Sequence, residues 1–114
     1  MNGTTVLLGK NAKIKVRNGG RLITDGAHFK RLDASDQHYG IKLYTSNNII
    51  ENSTIEGAYT GIYMYNSDNN TIVNSKFLNN RYGLYTWYSD DVLITKSTFA
   101  VSYTHLRAHE TEAY

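Results

Sequence analysis

Residues 39–55 read YGIKLYTSNNIIENSTI, residues 60–77 read TGIYMYNSDNNTIVNSKF, and residues 82–99 read YGLYTWYSDDVLITKSTF. One unit is written three times, with Gly40, Gly61 and Gly83 opening the copies at spacings of 21 and 22 residues. A period in this range marks a stack of supersecondary units, none of which buries its apolar face alone. After each glycine the chain alternates: Ile41-Lys42-Leu43-Tyr44, Ile62-Tyr63-Met64-Tyr65, Leu84-Tyr85-Thr86-Trp87. A period of two is that of a strand, with the first and third members inward and the second and fourth outward.

A polar turn follows in each copy, at Ser46-Asn47-Asn48, Ser67-Asp68-Asn69-Asn70 and Ser89-Asp90-Asp91. A second short strand aligns Ile50, Ile72 and Ile94. A further corner at Asn52-Ser53, Asn74-Ser75 and Lys96-Ser97 leads to Ile55, Phe77 and Phe99. The first copy is one residue shorter at its first turn. Strands this short do not form hairpins that satisfy their own backbones. Stacked coils do, each strand bonding its copy above and below at about 4.8 Å. Apolar residues at every second position, and the weight of β-branched and aromatic types, argue against helix. A leucine-rich repeat has a similar period but needs a leucine and asparagine pattern that is missing. The expected fold is all-β, a parallel β-helix of about four coils.

The unit G-I-x-L-x-x-S-x-N-N-x-I-x-N-S-x-F resembles the right-handed parallel β-helix repeats of the NosD-like type, within the wider pectin-lyase-like superfold. The resemblance is strong over residues 39–99 and weak before them. It implies a right-handed solenoid and an exported, periplasmic or cell-surface setting. It leaves function open, because that superfold includes periplasmic copper-maturation factors, surface proteins and carbohydrate-active enzymes.

Stacking turns equivalent positions into columns. Lys42, Tyr63 and Tyr85 form one outward column, and Tyr44, Tyr65 and Trp87 form its neighbour. Outward positions are normally polar, so an aromatic sheet face invites explanation. It serves either as a ladder in which coils stabilise one another, or as a flat platform on which sugar rings stack. Tyr44, Tyr63, Tyr65, Tyr85 and Trp87 are therefore the candidate carbohydrate-binding residues. Asp68 and Asp90 also align in adjacent coils, at a separation compatible with a carboxylate pair or a calcium site. Both sit in turns, where Asp and Asn are favoured for bonding their own backbone. In polygalacturonase-like relatives, as the resemblance implies, the paired aspartates precede the glycine strand; here those positions hold Tyr39, Thr60 and Tyr82. The aspartates read as turn residues. Asn52 and Asn74 are placed to form an amide ladder, which Lys96 breaks.

Upstream, Ala12, Ile14 and Val16 alternate with Lys13, Lys15 and Arg17, followed by the turn Asn18-Gly19-Gly20, the short strand at Leu22-Ile23 and the turn Asp25-Gly26. These residues read as the first one or two coils. The basic row reads first as a solvated face that discourages edge pairing, and second as a grip on an anionic polymer. Downstream, Val101–Thr111 reads VSYTHLRAHET, which resembles the translation of a transposase-type sequencing adapter. Residues 101–114 are accordingly expected to be a non-native tail that adds no stability, attached to a β-helix fragment over residues 1–100. The histidines and glutamates of that tail are left out of the site reasoning.

The 114 residues hold no cysteine and no proline and carry a formal charge of +2. That small charge is no nucleic-acid footprint, and no stretch is long and apolar enough to span a bilayer. His28 and His38 have no His, Cys or Met neighbour at ligand spacing, and no nucleophile–base pair or phosphate loop occurs, so no metal, cofactor or catalytic residue is expected. The residues point to a non-catalytic β-helix segment with polysaccharide as partner, and the family resemblance implies that the protein is exported or surface-bound. Two other functions fit the same fold: part of a polysaccharide lyase or glycoside hydrolase whose catalytic coils lie elsewhere, and a NosD-like maturation factor or scaffold.

Overall fold

The structure is a computed structural model and describes residues 3–33, 37–100 and 103–107. In chain order it begins with strand β1 (Thr5–Leu8) and then turns four coils of three strands each. The first comprises β2 (Lys13–Val16), β3 (Ile23–Asp25) and β4 (His28–Arg31). The second comprises β5 (Gly40–Leu43), β6 (Ile49–Glu51) and β7 (Thr54–Glu56). The third comprises β8 (Thr60–Tyr65), β9 (Thr71–Val73) and β10 (Lys76–Leu78). The fourth comprises β11 (Tyr82–Trp87), β12 (Leu93–Thr95) and β13 (Thr98–Ala100), and β14 (Tyr103–Arg107) follows. Every strand pairs with its counterpart one coil away, always in parallel. Three sheets result, ordered β1-β4-β7-β10-β13, β2-β5-β8-β11-β14 and β3-β6-β9-β12. They enclose one core, which is the expected β-solenoid.

The alternating sequence is what fills that core. Ile41 pairs with Ile62 and Ile62 with Leu84; Ile50 pairs with Ile72 and Ile72 with Ile94; Ile55 pairs with Phe77 and Phe77 with Phe99. Most of these side chains are fully buried, so like sits on like up the stack. The rings of Phe77 and Phe99 lie 4.5 Å apart and 8° from parallel.

The corners explain the heavy use of asparagine. Asn47, Asn69 and Asp91 have φ of 67°, 59° and 56°, and Asn52, Asn74 and Lys96 have φ of 50°, 50° and 52°. Asparagine and aspartate enter this left-handed region more readily than other side chains. The extra residue of the second and third copies, Asn66 and Tyr88, takes the same conformation at φ 49° and 52°. The glycine motif has a different cause. A Cβ on Gly61 would come within 2.6 Å of the Gly83 carbonyl oxygen, and Gly40, at φ +73°, has the backbone of Thr60 and Gly61 in the way. Coil backbones approach one another there too closely for any side chain.

Beyond Phe99 the backbone goes further than the repeat reading expects. Residues 103–107 form β14, paired in parallel with β11 after a register irregularity between Tyr82 and Leu84. The rest of the expected tail, residues 101–102 and 108–114, lies outside the described residues. The absence of any carry-over of the Gly-apolar, Ser-Asn and Asn-Ser markers into 101–114 still separates it from the three copies.

Candidate functional site

The outer face of the sheet formed by β2, β5, β8 and β11 carries the unusual chemistry. Registers Lys15–Lys42, Lys42–Tyr63 and Tyr63–Tyr85 make one outward column; Tyr65 pairs with Trp87 in the next, with the Tyr44 ring 6.3 Å from that of Tyr65. All five expected residues thus lie on one face. Tyr44, Tyr63, Tyr85 and Trp87 are half-buried and Tyr65 is exposed. The Tyr63 and Tyr85 rings are 5.5 Å apart at a tilt of 35°, and Tyr44 meets Tyr63 edge-on at 6.2 Å. These separations lie in the range where aromatic pairs attract beyond simple area burial.

Four more rings, not among the sequence candidates, extend the face. Tyr39 meets Tyr59 at 6.2 Å, Tyr59 meets Tyr82 at 5.8 Å, and Tyr82 meets Tyr85 at 6.2 Å. On the other side Tyr88 meets Tyr65 at 6.2 Å and Trp87 at 5.6 Å. Tyr39, Tyr59 and Tyr88 are exposed. The signal for the first group was present in the sequence as a ring just before each glycine. It is blurred because Tyr39 and Tyr82 precede theirs by one residue and Tyr59 by two. Tyr88 sits in a left-handed turn, where strand alternation gives no warning of its direction.

Between the two ring groups runs a groove of about 400 Å³ lined by Tyr39, Lys42, Tyr59, Tyr63, Tyr82 and Tyr85. Lys42 lies in it with Nζ 4.9 Å from the Tyr63 ring centre and 5.8 Å from that of Tyr39. Arg81 covers Tyr59 at 5.3 Å and Tyr82 at 5.7 Å. These are cation–π contacts, which hold the cation without neutralising it. Burial pulls the Lys42 ammonium below its usual pKa, and the nearby charges of Lys13 and Lys15 add to that. Burial and the neighbouring phenols of Tyr44, Tyr85 and Tyr65 push the Tyr63 phenol up. No carboxylate occurs in β2, β5, β8 or β11, so every charged side chain these strands contribute is positive.

His38 precedes Tyr39 and bridges to Ala58 of the next coil. It is fully buried; its Nε2–H donates to the Glu56 carbonyl at 2.8 Å while Nδ1 accepts the Gly40 amide at 3.0 Å. Accepting at Nδ1 while donating from Nε2 requires the neutral imidazole with its proton on Nε2. Burial chiefly, and the Arg31 charge secondarily, depress its pKa against the opposing pull of the Glu56 carbonyl.

The aspartates behave as turn residues. The Asp68 carboxylate accepts the Asp90 amide at 2.8 Å, and the Asp68 amide donates to Ser46 Oγ at 2.9 Å. The corner ladder forms as read: Asn74 Nδ2 donates to Asn52 Oδ1 at 2.7 Å, and Asn52 Nδ2 donates to Asp25 Oδ1 at 2.8 Å. Among the described residues no group of three or more His, Cys, Asp or Glu side chains is placed to hold a metal ion, and no helix is long and apolar enough to cross a membrane.

Comparison with known proteins agrees with this architecture. The family model for a right handed beta helix region matches residues 13–111. Neither the curated proteins nor the solved structures returned a match. With that match running along most of the chain and over coils of parallel strands stacked in register, this chain belongs to the right-handed β-helix family.

Proposed function

We propose that this chain is a non-catalytic segment of an exported or cell-surface β-helix protein, and that the outer face of β5, β8 and β11 binds polysaccharide. The observation that carries the reading is the groove between Tyr39, Tyr63 and Tyr85, with Lys42 in its floor. Tyrosine and tryptophan rings offer flat apolar faces on which the C–H faces of sugars stack, with a polar edge left for hydroxyl groups. A contiguous exposed aromatic area of this kind tends to mark a binding surface. Lys42, Lys15 and Lys13, with no carboxylate beside them in the strands, favour a glycan bearing carboxylate or sulfate groups over a neutral one.

A glycan array tests the proposal. Wild-type protein is expected to retain acidic polysaccharides, and a Tyr63→Ala/Tyr85→Ala variant with unchanged circular dichroism is expected to lose most of that retention. Undiminished binding by the double variant would sink the idea.

A further inference from the structure

We propose that the aromatic face is also an oxidative cross-linking site, at which Tyr63 and Tyr85 couple to form an intramolecular dityrosine between neighbouring coils. Among the described residues, eight tyrosines and the single tryptophan lie on this face in one continuous path. It runs from Tyr39 through Tyr59, Tyr82 and Tyr85 to Tyr63, then through Tyr44, Tyr65 and Tyr88 to Trp87, and no link exceeds 6.3 Å between ring centres. Rings this close exchange an electron hole readily, so a radical made at any exposed member samples the others.

The Tyr63–Tyr85 pair is where such radicals combine. Among the described residues it is the closest tyrosine pair, at 5.5 Å, and the one nearest to parallel, at 35°. The other tyrosine pairs cross at 54° to 87°. The unpaired electron of a phenoxyl occupies orbitals perpendicular to the ring, so carbon–carbon bonding needs rings that face one another. Edge-to-face pairs do not offer that overlap. Tyr63 and Tyr85 are also direct register partners on adjacent strands, which fixes the pair in place. Competing sulfur sinks are few among the described residues. Cysteine, which oxidises readily as its thiolate, is absent, and Met64 is fully buried.

The step balances with a peroxide, or another oxidant that accepts two electrons in single-electron stages. Each phenol gives up one electron and one proton, forming a phenoxyl radical. The radicals join through the carbons ortho to oxygen, and the hydrogens on those carbons move to the oxygens, restoring both phenols. Hydrogen peroxide takes up the electrons and protons and leaves as water. The product is a covalent staple across one coil in a chain that has no disulfide. Closing that loop restricts the unfolded chain and raises the unfolding temperature.

The test is visible-light oxidation of dilute protein by a ruthenium tris-bipyridyl complex with persulfate, followed by denaturing electrophoresis, dityrosine fluorescence and tandem mass spectrometry. The expected product is a monomer lighter by a pair of hydrogen atoms, with residues 63 and 85 joined. Tyr63→Phe and Tyr85→Phe are each expected to lose this linkage, while Tyr59→Phe and Tyr65→Phe, equally conservative on the same face, keep it. An undiminished monomer cross-link in Tyr63→Phe or Tyr85→Phe would overturn the proposal, as would linkage found only between molecules.

Discussion

Asn70 Oδ1 receives two hydrogen bonds from Asn48, one from its backbone amide at 3.0 Å and one from its side-chain amide at 2.8 Å. Both residues are buried, and the pattern continues outward as the Leu22 amide donates to Asn48 Oδ1 at 2.8 Å. Asn70 Nδ2 is occupied as well, donating to the Ser67 carbonyl at 2.8 Å. The turns that lead from β5 to β6 and from β8 to β9 are therefore wired through the core by side-chain amides. Removing such a group strands buried donors, at about 1–3 kcal/mol for each one left unpaired. Asn70→Ala is expected to lower stability by at least that much in urea unfolding. A loss under about 0.5 kcal/mol, the range of ordinary surface changes, would contradict the ladder.

Thr86 presents the opposite case. It occupies an inward position beneath Met64, is almost fully buried, and its hydroxyl has no hydrogen-bond partner. Valine has nearly the same shape without the unsatisfied group. Thr86→Val is expected to stabilise the fold by about 1 kcal/mol, read from the denaturation midpoint.

His38 makes stability depend on pH. Its folded pKa lies below that of the unfolded chain, so over that interval the unfolded state binds the extra proton. Stability from this residue is then fully present above about pH 6.5 and declines as the pH falls from there towards the folded value. Urea midpoints measured between neutral and mildly acid pH should fall for the wild type. His38→Gln should flatten that part of the profile.

Residues 101–114 lack the markers of the repeat, although the backbone of β14 pairs with β11. A chain ending at Ala100 is expected to melt at the same temperature as the full chain. A drop of several degrees, the scale of a ~1 kcal/mol loss in a domain this size, would make β14 a working rung of the stack.

Much of the fold is legible because a period-two pattern repeated at a fixed interval has one good solution. The alternation in Ile62-Tyr63-Met64-Tyr65 states which side chains face in, and the alignment of Ile50, Ile72 and Ile94 states which strands stack. Less legible were the inner polar ladders. Asn48 and Asn70 look like ordinary turn residues in the sequence, yet they are buried while their neighbours Asn47 and Asn69 are exposed. Composition cannot separate the two members of an Asn-Asn pair, because the corner's left-handed turn decides which one points inward. The candidate site was half legible for a related reason. Tyr44, Tyr63, Tyr65, Tyr85 and Trp87 obey strand alternation, whereas Tyr39, Tyr59 and Tyr88 join the face from loops and turns.

The central claim is that the ring-lined groove with Lys42 in its floor is a binding surface for an acidic glycan. Affinity electrophoresis in gels containing a polyuronate, run beside gels containing a neutral glucan, addresses it directly. The account predicts retardation of the wild type by the polyuronate alone, weakened by salt, and a clear loss of that retardation in Lys42→Gln at unchanged fold. Equal mobility of wild type and Lys42→Gln in the polyuronate gel, or equal retardation by the neutral glucan, would contradict it.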